Sequence, residues 1–139
     1  MENTFIQPYL FFGVRCEEAL NFYRTALGTQ VDMLMFYKDS PEPHSPGMLP
    51  SGFENRVMNA TFRIGGTTLM ASDGNEEKLI FSGFSLSFSV PTEAECDHTF
   101  AALCEGGMVK MPLTKTFWSP RFGMLTDRFC LGWMISVAK

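Results

Sequence analysis

The chain is poor in charge, in histidine and in clustered cysteine. Only 19% of its 139 residues are Asp, Glu, Lys or Arg, and it has two histidines. Eleven basic residues are scattered among 15 acidic ones, for a net charge of −4. Nucleic-acid binding rests on neutralising phosphates with clustered cations, so no nucleic-acid partner is expected. Anionic membrane surfaces are not expected for the same reason. The start, Met1-Glu2-Asn3-Thr4, lacks the basic and long apolar regions of a signal peptide. The apolar run nearest to it, Tyr9 to Val14, is too short to span a bilayer. Cys16, Cys96, Cys104 and Cys130 form no C-x-x-C pair. Cys96 and Cys104 on one helix would lie roughly 12 Å apart, too far for a disulfide. Four free thiols place the protein in a reducing cytosol. No G-x-S-x-G nucleophile motif is present, and Gly65-Gly66 lacks the lysine and following helix of a phosphate-binding loop.

What the chain does have is phenylalanine and methionine, 14 and 10 of them, within a 45% hydrophobic composition. Such residues build a core, and some can line an adaptable apolar cavity. Residues 4–12 read as a strand. Pro8 cannot donate to a ladder, which points to an edge or a bulge. Alternation sets Ile6, Pro8, Leu10 and Phe12 on one face, with Phe5, Gln7, Tyr9 and Phe11 on the other. Residues 16–27 read as a helix with the apolar stripe Ala19, Leu20, Tyr23, Ala26 and Leu27. Glu17 and Glu18 favour its first turn and Gly28 stops it.

A strand over 30–38 follows, then a proline-rich loop over 39–55 that holds His44, read as solvated. Residues 56–64 and 67–72 form a hairpin around Gly65-Gly66. A polar link over 74–80 is the candidate module boundary. Residues 81–90 alternate, with Phe84, Leu86, Phe88 and Val90 against Ser85, Ser87 and Ser89. Thr92-x-x-Glu95 is a capping box opening a helix to about Cys104, with His98 exposed. Three strands follow over 108–115, 121–127 and 132–138.

The stretch Thr116 to Trp133 gathers Phe117, Trp118, Phe122, Phe129 and Trp133 around Arg121, which Pro120 and Gly123 bracket. Flat apolar surface beside one fixed charge suits a pocket wall. Arg121 either anchors an anionic ligand group or pairs with Asp127 or Asp73, or stacks on Trp118.

Strand, helix and three strands occur twice, and Phe22–Gly28 matches Phe100–Gly106 in place. The expected fold is α+β, with two tandem βαβββ modules, 1–74 and 81–139, forming one domain. Their curved mixed sheets would enclose a cavity, helices outside. With Glu17-Glu18-Ala19-Leu20-x-Phe22-Tyr23 in the first helix, the chain resembles the vicinal oxygen chelate superfamily of glyoxalases, extradiol dioxygenases and bleomycin- and fosfomycin-resistance proteins. It is most similar to the PhnB-like branch, through Gln7–Leu10, Cys16–Tyr23, Arg63–Gly66, Leu69–Asp73 and Thr116–Met134.

The resemblance implies a ligand cavity and a homodimer. In metal-dependent relatives it implies His, Gln or Glu ligands on the first and last strands of each module. Those places hold Gln7 or Pro8, Ala71 or Ser72, Ser85 to Ser87, and Met134 or Ile135. Only Gln7 is a usable ligand, so no native metal or other cofactor is expected. Proteins of the branch are sometimes labelled demethylubiquinone methyltransferases, but no strand-to-helix glycine loop for a nucleotide-type cofactor is visible.

Two readings follow. The first is a metal-independent homodimer that binds a small apolar or aromatic molecule through Gln7, Tyr9, Ser72, Phe117, Trp118 and Arg121. The alternative is a lyase, isomerase or dioxygenase that uses a divalent ion to polarise vicinal oxygens.

Overall fold

A computed structural model describes residues 2–40, 52–74 and 78–138. These carry two helices and eight strands in two four-stranded mixed sheets. Contacts divide the chain into two compact units, Met1–Lys78 and Leu79–Lys139. His44, most of the 39–55 loop and part of the 74–80 link lie outside the described residues.

In the first unit the order is β1 (Tyr9–Phe11), α1 (Cys16–Leu27), β2 (Gln30–Phe36), β3 (Val57–Ile64) and β4 (Thr67–Ser72). In space the strands run β1-β4-β3-β2, with β1 parallel to β4 and the other pairs antiparallel. Helix α1 keeps its expected limits. Gly28 adopts φ +67°, which a side chain resists, and its N–H reaches the Arg24 carbonyl. Ala19, Leu20 and Tyr23 are fully buried, while Ala26 and Leu27 at the far end of the stripe are half-buried. In the same unit Leu10, Phe12, Ala60, Phe62, Leu69 and Ala71 are all at most 3% exposed, and the Tyr23 ring lies 6.1 Å from that of Phe12. Burial of each large member contributes about 1.5–3 kcal/mol.

The first strand is shorter than the expected 4–12. Pro8 accepts from Met70 N–H at 2.9 Å but has no N–H to return, so the ladder ends there. Upstream, Phe5 and Ile6 stand 74% and 97% exposed. The expected edge position of this strand is correct.

The second unit repeats the plan with β5 (Leu86–Val90), α2 (Glu93–Cys104), β6 (Met108–Thr114), β7 (Phe122–Thr126) and β8 (Gly132–Val137), in the order β5-β8-β7-β6. Thr92 Oγ1 accepts from Glu95 N–H at 3.1 Å, as the capping box requires. His98 is exposed on α2, as expected. Strand β5 begins five residues later than expected. Its parallel partner β8 starts at Gly132, and Leu86 pairs with Trp133, so residues 81–85 have no ladder to join. Phe84 is consequently half exposed and meets Phe81 edge to face.

All four cysteines are free. Cys16 is fully buried, and burial, with the charges of Asp73 and Glu17 beside it, raises its thiol far above the ordinary value. Burial also raises Cys96 and Cys104. None of these three is an activated nucleophile.

Candidate functional site

Strand pairing fixes which side chains share a face. In the first sheet one face packs on α1. The other carries Met33 and Met35 from β2, Asn59 and Thr61 from β3, Met70 and Ser72 from β4, and Tyr9 and Phe11 from β1. Tyr9 and Phe11 rings stand 5.0 Å apart. Of the expected ligand residues, Tyr9 and Ser72 therefore fall on this face; Tyr9 is exposed, whereas Ser72 is buried at 3% exposure. Gln7 lies two residues before β1 and is half-buried.

Asn59 was not anticipated. Its Oδ1 is buried and accepts no hydrogen bond among the described residues, as does Thr29 Oγ1. In the sequence Asn59 alternates with Thr61 and Arg63, which disguises it as part of a solvated strand face.

In the second sheet the face away from α2 holds Ser87 and Ser89 of β5, Met134 and Ser136 of β8, and Met124 of β7. The Ser89 and Ser136 hydroxyls meet at 3.3 Å. Beside this sheet the turn Thr116–Ser119 presents Phe117 and Trp118, 89% and 47% exposed, with ring centroids 4.7 Å apart and edge to face. Trp118 also leans edge-on against Phe122 at 5.3 Å. Ser119 makes the turn rigid. It is 2% exposed, and its hydroxyl lies 2.6 Å from the Arg121 carbonyl and accepts from Val137 N–H at 3.2 Å.

Two parts of the expected aromatic cluster are corrected. Phe129 and Trp133 do not surround Arg121; they are core residues, 0% and 2% exposed. Arg121 pairs with neither Asp73 nor Asp127. Its Nε and Nη2 donate to Asp97 on α2, both at 3.0 Å, with Glu93 at 3.9 Å. The hydrogen bond and charge of Asp97 raise its pKa.

Both rejected partners are occupied by the backbone. Asp73 accepts from Cys16 N–H and Val57 N–H at 2.9 and 2.8 Å. Asp127 accepts from Phe129 N–H, Leu131 N–H and the Trp133 indole at 2.8, 3.1 and 2.9 Å.

A cleft of about 250 Å³ lies at one end of the second sheet, with Lys110, Arg128 and Cys130 in its wall. None of the expected ligand residues lines it.

The donor set does not fit a divalent ion. The four implied places offer one carboxamide, Gln7, with Ser72, Ser87 and Met134. Ala71 and Ile135, the alternatives, are fully buried. Neutral hydroxyls and a thioether are poor ligands for such an ion. Among the described residues no three His, Cys, Asp or Glu side chains gather closely enough to share one.

A family model described as 3-demethylubiquinone-9 3-methyltransferase matches residues 4–136. The crystal structure of PA1353 from Pseudomonas aeruginosa is 38% identical, covers 98% of both chains and superposes with a TM-score of 0.83. YjdN of Escherichia coli is 31% identical over 140 residues, 96% of this chain and 95% of its own. A PhnB protein from Bacillus cereus, described as the same methyltransferase, is 29% identical over 97% of this chain and all of its own, with a TM-score of 0.77. The fold alone extends to the fosfomycin resistance protein FosX of Listeria monocytogenes, 12% identical over 98% of this chain and 93% of its own, with a TM-score of 0.66. The chain belongs to the matched, PhnB-like family, and its likeness to the vicinal oxygen chelate superfamily expected from the sequence is one of fold.

Proposed function

We propose that the protein is a metal-independent, cytoplasmic homodimer that binds a small apolar or aromatic molecule. The observation that carries this reading is the donor set, in which Ser72, Ser87 and Met134 stand at three of the four places where the resemblance implies His, Gln or Glu ligands, and only Gln7 fits. The open face of the first sheet supports it, because methionine and aromatic side chains adapt to apolar ligands. Tyr9, Ser72 and the nearby Gln7 supply polar contacts there. On the second unit Phe117 and Trp118 supply flat apolar surface on a turn fixed by Ser119. Arg121 spends its fork on Asp97 and serves to hold β7 against α2.

Exposure of Phe5, Ile6 and Phe117 supports a covered surface in a dimer. The methyltransferase description finds no support in the strand-to-helix passages. Gly13-Val14-Arg15 and Pro91-Thr92 contain no glycine-rich loop.

The reading is tested by calorimetric titration with an aromatic ligand found by screening. Trp118→Ala is expected to weaken binding about tenfold or more while circular dichroism stays unchanged. Arg121→Ala is expected to bind as the parent does. Full affinity in Trp118→Ala overturns the assignment of Trp118.

A further inference from the structure

Asn59 is the third residue of β3, the strand that lies between β2 and β4. Its pair in β2 is Met35, and the register of Ala60 with Ala71, carried one residue further, sets it opposite Ser72. Its carboxamide oxygen is buried and has no donor among the described residues. The neighbours on the same face are Met33, Met35, Thr61, Met70, Ser72 and Tyr9, a soft surface of thioethers and one ring broken by two hydroxyls. A buried amide oxygen without a donor is costly to keep, whereas an apolar residue of the same size would suit the strand better. Two lone pairs are thus held ready against a surface that apolar ligands can remodel, since thioethers rotate aside at little cost.

We propose that Asn59 is a ligand-binding residue on the open face of the first sheet, and that the ligand is an apolar molecule carrying a hydrogen-bond donor, an O–H or N–H, which satisfies Asn59 Oδ1. This rests on the reading of the protein as a small-molecule binder. Recognition of this kind discriminates strongly, because an analogue without the donor leaves the buried oxygen unpaired. Phenols and aromatic amides with an N–H qualify as ligands. The methyl ethers of those phenols and the N,N-dimethyl amides, which have no donor, do not.

The test uses the full chain and two probes of one shape, 2-naphthol and 2-methoxynaphthalene. The parent is expected to bind 2-naphthol about tenfold more tightly, and Asn59→Leu is expected to abolish that preference. A second measurement needs no variant. In the parent, the Asn59 side-chain amide resonances are expected to shift on titration with 2-naphthol and to stay still with 2-methoxynaphthalene. A preference that survives in Asn59→Leu, or an unmoved Asn59 amide, overturns the inference and leaves the binding reading intact. A change in dimer dissociation with no change in probe preference assigns the face to a second copy of the chain, and also overturns it. Failure of both probes to bind the parent overturns the binding reading and the inference with it.

Discussion

Asp127→Ala is expected to lose about 4 kcal/mol of unfolding free energy, the largest effect of any single change considered. The carboxylate is 3% exposed and accepts three hydrogen bonds within seven residues of chain. Two come from the backbone of the turn between β7 and β8, where Cys130 sits at φ +69°. The third comes from the Trp133 indole, which is itself buried. Alanine leaves three donors without an acceptor in a dry site, and each such donor costs about 1–3 kcal/mol before relaxation.

Asp127→Asn separates these contributions. It retains an acceptor for the turn but sets an amide N–H₂ against the indole N–H, so a smaller loss of about 1–2 kcal/mol is expected. Urea unfolding followed by tryptophan fluorescence measures both. The effects of Asp127→Ala and Trp133→Phe should be markedly less than additive, because they remove one shared contact. A loss below about 1 kcal/mol in Asp127→Ala would contradict this account of the turn.

The second large effect is expected at Asp73, at about 2–3 kcal/mol for Asp73→Ala. Helix α1 has no side-chain cap of its own, since Arg15 occupies the N-cap position. Asp73 supplies the cap from the end of β4. One oxygen accepts from Cys16 N–H in the first helical turn, and the other accepts from Val57 N–H at the start of β3. The carboxylate thus satisfies an orphan helix donor, complements the helix dipole and pins three elements together. Asp73→Asn keeps one acceptor and should lose about half as much. Hydrogen exchange at Cys16 and Val57 checks the cause: both amides should exchange faster in Asp73→Ala. Unchanged protection at these two amides would show that the loss arises elsewhere.

Those two aspartates mark the boundary of what the sequence discloses. Helix α1 is legible because its stripe, its acidic first turn and Gly28 are all local signals. The same is true of the Gly65-Gly66 hairpin and of the Thr92 cap. The repeat of strand, helix and three strands is legible because two modules obey the same local rules. Strand ends are less so. Residues 81–85 continue the alternation of β5, yet a strand persists only as far as its partner, and β8 is short.

Long-range pairing is not legible. Arg121 has 15 acidic residues to choose from, and neither Asp73 nor Asp127 is available because backbone amides hold both. Asn59 shares its alternation with Thr61 and Arg63, so a solvated face explains it equally well until burial is known. Phe129 and Trp133 read like pocket aromatics because the sequence cannot show which side of β8 faces α2.

Metal content and native mass of tag-free full chain test the central claim most directly. The account predicts a dimer without a stoichiometric divalent ion, releasing any retained small organic molecule on denaturation. One divalent ion per chain, removable only by a chelator, would contradict it.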